Sequence, residues 1–240
     1  MTSASVQSRG GWRQSKYIAY LGPMIVFLVV MPLGDLVRSS QEGAPWWRTH
    51  PEFWSYPLQT ILAGGLAIAC WGHYKWRPIS VGVPILATIV GVVGILIWIA
   101  PSAFFNWQPR EGGFDPSLLK EQPALYALTL ALRFLRLVIV VPLVEEIFWR
   151  GFLMRFLVKP KGEFDDVPFG TFTWPSAVLT TIGVMIIHDP ADWAVAAVWG
   201  TLMVGLAVRT KSLFACVWAH AVANLLLGAY IMVTQSWELW

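Results

Sequence analysis

The chain has 240 residues, of which 56% are hydrophobic and 13% charged, with a formal net charge of +3. Soluble domains carry about 25% charged residues, so this deficit excludes an ordinary water-soluble protein. Its 17 Lys and Arg residues are scattered through short loops and form no stripe interleaved with aromatics, which excludes a nucleic-acid surface.

A membrane-spanning helix needs about 20 mostly apolar residues, and such runs recur along the chain. Arg9, Arg13 and Lys16 precede the first, from Tyr17 to Leu33, in a pattern that superficially copies a signal peptide. The run is long, and the Pro-Leu-Gly-Asp that follows offers no small-x-small cleavage site, so an uncleaved span over 17–37 is expected. Further spans are expected at 54–74 and 81–100, then an apolar tract over 123–158 that contains Pro142, then spans at 175–188, 191–209 and 212–234. As one straight helix the tract would be about 54 Å long, against a bilayer core of about 30 Å. It must kink, tilt, emerge into a headgroup region, or split at Pro142. The fold class is therefore all-α, a polytopic membrane bundle of seven to eight helices. A motif-free three-span region, 1–122, precedes a motif-bearing core, 123–240, within one membrane domain.

Fifteen Trp residues fit aromatic belts at headgroup depth where they flank the runs, as at Trp12, Trp46, Trp47, Trp54, Trp76, Trp98, Trp107, Trp174 and Trp237. Trp149, Trp199 and Trp218 lie deeper and read as packing residues. Loop charges orient the chain: Arg9, Arg13, Lys16, Lys75, Arg77, Arg155, Lys159, Lys161, Arg209 and Lys211 fall on one side if the long tract crosses once. The expected topology has seven crossings, with the N-terminus cytoplasmic in the cell's inner (plasma) membrane. Arg38, Arg48, Arg110 and Lys120 on the other side weaken that bias. Cys70 and Cys216, isolated in apolar runs, indicate neither a disulfide framework nor a metal site.

Ionisable groups at membrane depth are costly and face cavities or one another. They are Arg133 and Arg136 before Pro142, Glu145, Glu146 and Arg150 after it, His188 at one span's end, and His220, with the amide of Asn224, inside the last. Glu146 and Arg150 are four apart and share a helix face, so they can form an ion pair. Glu145 is about 100° further round, which leaves it to meet groups on other helices. His220 and Asn224, also four apart, present an imidazole and an amide together. Counted from the proposed inside ends of their helices at about 1.5 Å per residue, Glu145, His220 and His188 lie about 15, 12 and 20 Å deep, so the three elements can meet near mid-membrane. A carboxylate beside a His in a partly dry cavity suits the activation of water. A second His with an Asn supplies donors to a developing oxyanion. The chemistry these residues point to is amide hydrolysis.

Glu145-Glu146-x-x-x-Arg150, Val184-x-x-x-His188 and His220-x-x-x-Asn224 resemble, in order and spacing, the motifs of the CAAX-processing protease and bacteriocin-processing family, which includes the Rce1-type prenyl-protein endoproteases. Val184 departs from the family's more usual Phe. The resemblance covers about 123–234, and the stretch from Phe148 to Arg155 with the abundant Trp looks like the branch associated with exosortase sorting systems. It implies a glutamate-type intramembrane protease with no obligatory cofactor. Glu145 and His188 would activate water, while His220 and Asn224 would stabilise the oxyanion. The implied partner is a membrane-tethered or lipid-modified protein substrate, reached through the lipid bilayer. Zinc is disfavoured because the chain lacks His-Glu-x-x-His.

Structural alternatives stand beside each assignment. Glu146 and Arg150 can be purely an ion pair, Glu145 an interfacial residue beside a helix break, His188 a polar cap, and His220 with Asn224 an interhelical hydrogen-bonding pair. Arg133 and Arg136 read as snorkelling or pairing residues, with substrate-carboxylate binding as the alternative. At the level of the whole protein, the alternative is a non-catalytic scaffold or maturation partner.

Overall fold

The computed structural model describes residues 15–76, 80–105 and 113–240. Arg9, Trp12, Arg13, Arg77, Trp107 and Arg110, which entered the loop-charge and belt readings, lie outside these residues.

Seven helices of thirteen residues or more occur among the described residues: α1 Lys16–Val30, α2 Glu52–Ala69, α3 Gly82–Phe105, α4 Pro123–Val158, α5 Trp174–Ile186, α6 Trp193–Thr210 and α7 Leu213–Thr234. The termini follow from local chemistry. Ser15, Thr173 and Ser212 cap the N-termini of α1, α5 and α7 with their side-chain oxygens. Lys211 and Gln235 end α6 and α7 in the left-handed conformation.

Lys16–Val37, Gly82–Phe105, Pro123–Val158, Pro190–Thr210 and Leu213–Thr234 are long and apolar enough to cross a membrane. The chain is a multi-pass membrane protein. α5, with 13 residues, is about 20 Å long. α2 turns Ser55, Gln59 and Thr60 inward, which lowers its hydropathy. Large side chains on the outer surface, such as Ile85, Ile89 and Leu96 of α3 and Val178, Leu179 and Ile186 of α5, are exposed, as a lipid solvent requires.

The interior is held by close backbone approach rather than bulk. Ala215, Ala219 and Ala223 form a small-residue stripe on α7, and α3 lies against it at Gly91, where a Cβ would stand 2.5 Å from the Ala219 carbonyl. The central core takes Met24 and Phe27 from α1, Ala63 from α2, Ile95 from α3, Val144 and Trp149 from α4, Val184 from α5 and Met203 from α6. Residues from both sides of position 123 thus share one core.

The long tract does not split. α4 continues through Pro142, and the turn Arg136–Val140 ahead of it widens to a π-helical turn. The Val141 N–H bonds the Arg136 carbonyl, five residues back. In that pattern the next donor, for the Leu137 carbonyl, would be the N–H that Pro142 lacks. Asn224 supplies it from α7, Nδ2 donating to Leu137 O at 2.8 Å. A second π-helical turn, Ile147–Leu153, follows the two glutamates. Such widened turns gather at functional sites.

Three sequence expectations change in three dimensions, and a fourth narrows to one of its alternatives. Trp218 is 42% exposed, donating to Thr88 and stacked on Phe214, because its face of α7 points away from the small-residue stripe. Trp98, expected in a headgroup belt, instead turns inward onto His188. Of the two roles expected for Arg133 and Arg136, the structure shows pairing and not snorkelling: Arg133 is buried over the faces of Tyr56, Phe114 and Trp240, and Arg136 donates to Gln59 at 2.7 Å. Arg155, counted as a loop charge, is buried and bound to the Val167 and Asp165 carbonyls and to the Asp165 carboxylate. There it anchors the α4–α5 connection.

Candidate active site

A cavity of about 510 Å³ opens among α1, α3, α4, α6, α7 and the α5–α6 loop, within the range of small-ligand sites. Glu145, His188, His220 and Asn224 all line it. The three elements expected to meet therefore do converge on one cavity. Three separate stretches of chain supply these four side chains: α4 carries Glu145, α7 carries His220 and Asn224, and α5 ends just short of His188.

Glu145 is buried at the cavity wall, on the face of α4 that also carries Arg136 and Val141. Glu146, fully buried behind it, does not reach the cavity. Its Oε1 accepts from Arg150 Nη1 at 3.0 Å and from His220 Nδ1 at 2.9 Å. Arg150 also donates to the Gly200 carbonyl of α6. The ion pair expected from spacing is present, and it continues to His220, a link across 74 residues with no local signal in the sequence.

The ring partners set the tautomers. A carboxylate can only accept, so His220 carries its proton on Nδ1 when neutral and leaves Nε2 as the unbonded nitrogen. His188 sits just beyond α5, its Nδ1 2.7 Å from the Val184 carbonyl, which fixes the same tautomer. Its backbone N–H bonds the Met185 carbonyl and its carbonyl accepts from Trp193 Nε1. His188 is thus both the helix-ending residue that its His-Asp-Pro context suggests and a cavity residue. Trp98 and Trp199 stand edge-on to His188 and His220, with ring centroids 5.3 and 5.5 Å apart. One amide N–H of Asn224 is used on Leu137; the other and Oδ1 have no hydrogen-bond partner among the described residues and belong to a side chain that lines the cavity.

Gln59 and Phe27 carry no charge that marks them at membrane depth, and Trp98 and Trp199, expected as belt and packing residues, stand against the two histidines. Gln59 was visible in principle, as an amide within an apolar run. Val184, the departure from the family pattern, is buried in the central core. Among the described residues no three His, Cys, Asp or Glu side chains gather as a metal-ligand set.

Outside the membrane-spanning helices, Asp165 receives Lys75 and Arg155. Partial burial pushes its carboxyl upward, but hydrogen bonds from Lys75 and Arg155 outweigh this and hold it below the usual Asp range. Glu163 is lowered chiefly by its hydrogen bond with Lys16.

No curated protein and no solved structure matches the chain. Residues 127–226 match the family model described as type II CAAX prenyl endopeptidase Rce1-like, whose description names no exosortase-associated branch. The matched stretch contains Glu145, Glu146, Arg150, His188, His220 and Asn224, and over it the chain carries a domain of the Rce1-like family of CAAX proteases.

Proposed function

We propose that the protein is a glutamate-type intramembrane endopeptidase that hydrolyses a peptide bond near the C-terminus of a membrane-tethered or lipid-modified protein. The observation that carries this reading is the convergence of Glu145, His188, His220 and Asn224 on one cavity in a helical membrane bundle. Water held by Glu145 and His188 Nε2 gives a proton to Glu145 as its oxygen bonds to the scissile carbonyl carbon. The negative charge that develops on the carbonyl oxygen is met by His220, protonated on Nε2, and by the remaining Asn224 N–H. Glu146 supports that imidazolium from behind through Nδ1, as a buried carboxylate orients a His in hydrolase triads. Collapse of the intermediate breaks the C–N bond, and Glu145 returns the proton to the departing amine.

The reaction as proposed needs no metal, and the substrate enters from the bilayer of the cell's inner membrane, with the protein's N-terminus cytoplasmic. The rival scaffold reading draws on the same buried network: Glu146, Arg150 and Asn224 already join α4 to α6 and α7.

The deciding experiment reconstitutes the protein with a membrane-tethered candidate substrate and compares it with Glu145→Ala, His188→Ala and His220→Ala. Each variant is expected to lose roughly 100-fold or more in rate, with chelators leaving the wild type unchanged. Folded variants that all cleave as well as wild type would leave the scaffold reading standing. Retained cleavage in Glu145→Gln would remove the carboxylate-base assignment, and activity lost to chelation and restored by zinc would overturn the metal-free mechanism.

A further inference from the structure

We infer that Arg136, oriented by Gln59, forms a carboxylate-binding subsite in the cavity and holds the C-terminal α-carboxylate of the peptide substrate. This rests on the endopeptidase reading and adds to it the group by which the substrate is registered.

Arg136 lines the same cavity as Glu145. Its Nε is taken by Gln59 Oε1 at 2.7 Å, and Gln59, 1% exposed, is itself fixed by donation to the Phe27 carbonyl at 2.7 Å. The guanidinium carbon lies over the rings of Phe27 and Tyr56, at 5.1 and 4.7 Å from their centroids. Two aromatic rings and the Gln59 bond therefore position the group, while the terminal nitrogens have no hydrogen bond or ion pair among the described residues. A guanidinium at membrane depth with its Nη donors unbonded calls for an anion, and a pre-oriented planar fork matches a carboxylate better than a single-point donor would.

The other charges facing the cavity are consistent with that anion being external. Asp189 has Oδ1 turned onto the Ala191 N–H at 2.9 Å, Glu145 acts on Arg136 through its charge but makes no hydrogen bond or ion pair with it among the described residues, and Arg133 adds a second cation on the same face of α4. Arg136 and Glu145 are nine residues apart on α4, a rise of about 13 Å. An extended peptide advances about 3.3–3.6 Å per residue. A carboxylate at Arg136 thus lies within a few residues of the bond presented to Glu145.

The test uses one tethered peptide made with a C-terminal carboxylate or a C-terminal amide. For the wild-type protein the amide is expected to raise KM by roughly 10- to 100-fold with little change in kcat. Arg136→Gln, checked for folding by thermal unfolding, is expected to show the raised KM with both peptides and no preference between them. Equal KM for the two peptides on the wild type, or a preference that survives in Arg136→Gln, overturns the subsite. Binding of the same peptides to Glu145→Gln, in detergent without anionic lipid, separates this proposal from the protease reading. Tighter binding of the carboxylate form there, without cleavage by wild type, sustains the subsite while the protease reading fails. Binding blind to the peptide's end but competed by anionic phospholipid assigns Arg136 to a lipid headgroup and overturns the inference.

Discussion

Arg150→Met removes one half of the most deeply buried ion pair described in the protein. The side chains of Glu146 and Arg150 are 0% and 1% exposed, so no water compensates the carboxylate once the guanidinium is gone. Glu146 would keep only His220, and the Gly200 carbonyl would lose its Arg150 donor. Breaking a buried pair from one side costs about 3–5 kcal/mol, which for a chain of this length corresponds to a fall in Tm of roughly 6–20 °C. Replacing both partners, in Glu146→Leu with Arg150→Met, removes the stranded charge, and its cost is confined mainly to His220's lost partner, about 1–3 kcal/mol. The double variant should therefore be less destabilised than the sum of the singles. Thermal unfolding in detergent, followed by tryptophan fluorescence, measures all three. Arg150→Met within about 1 kcal/mol of wild type, or costs that simply add, would refute the description of a desolvated, coupled pair.

Two further predictions concern the scaffold around the site. Adding a Cβ at Gly94 drives it into the Trp199 ring, whose edge packs on His220, so Gly94→Ala should cost about 1–3 kcal/mol by overpacking and lower the cleavage rate as well as Tm. Unchanged cleavage would show that Trp199 does not position His220. Because Asp165 titrates below its ordinary value when folded, its clamp on Lys75 and Arg155 contributes stability above the unfolded-state Asp pKa of about 3.9. That contribution is lost as pH falls from there through the lower folded value. Hydrogen exchange in the α4–α5 connection should accelerate over that acidic window in wild type, and Asp165→Asn should show fast exchange already at neutral pH. An Asp165→Asn protein protected like the wild type would show that the clamp does not hold the loop.

The engagement of Asn224 with Leu137 bears on how its variants are read. Asn224→Ala removes both a proposed oxyanion donor and the partner of a carbonyl beside Pro142, so a loss of activity in it is informative only alongside Tm.

The membrane class, the seven principal helices and the sharing of one face by Glu146 and Arg150 were all legible in the sequence, because each depends on short-range periodicity: about 20 apolar residues per span and 3.6 residues per turn. The separate surroundings of Glu145 and Glu146 follow from the same 100° step. What needed the tertiary structure are the contacts made between residues far apart along the chain. Pro142 could equally have broken α4, and only the π-helical turn and the amide of Asn224, 87 residues from Leu137, show how the helix continues. Glu146 could be paired with Arg150 from spacing alone, but its bond to His220 depends on the approach of α4 to α7, where Gly228 of α7 lies against Phe134 and Leu137 of α4. Arg133 and Arg136 carry no local mark that tells a snorkelling cation from a caged one. That distinction rests on Tyr56, Gln59 and Phe27, contributed by helices whose own sequences hold no motif.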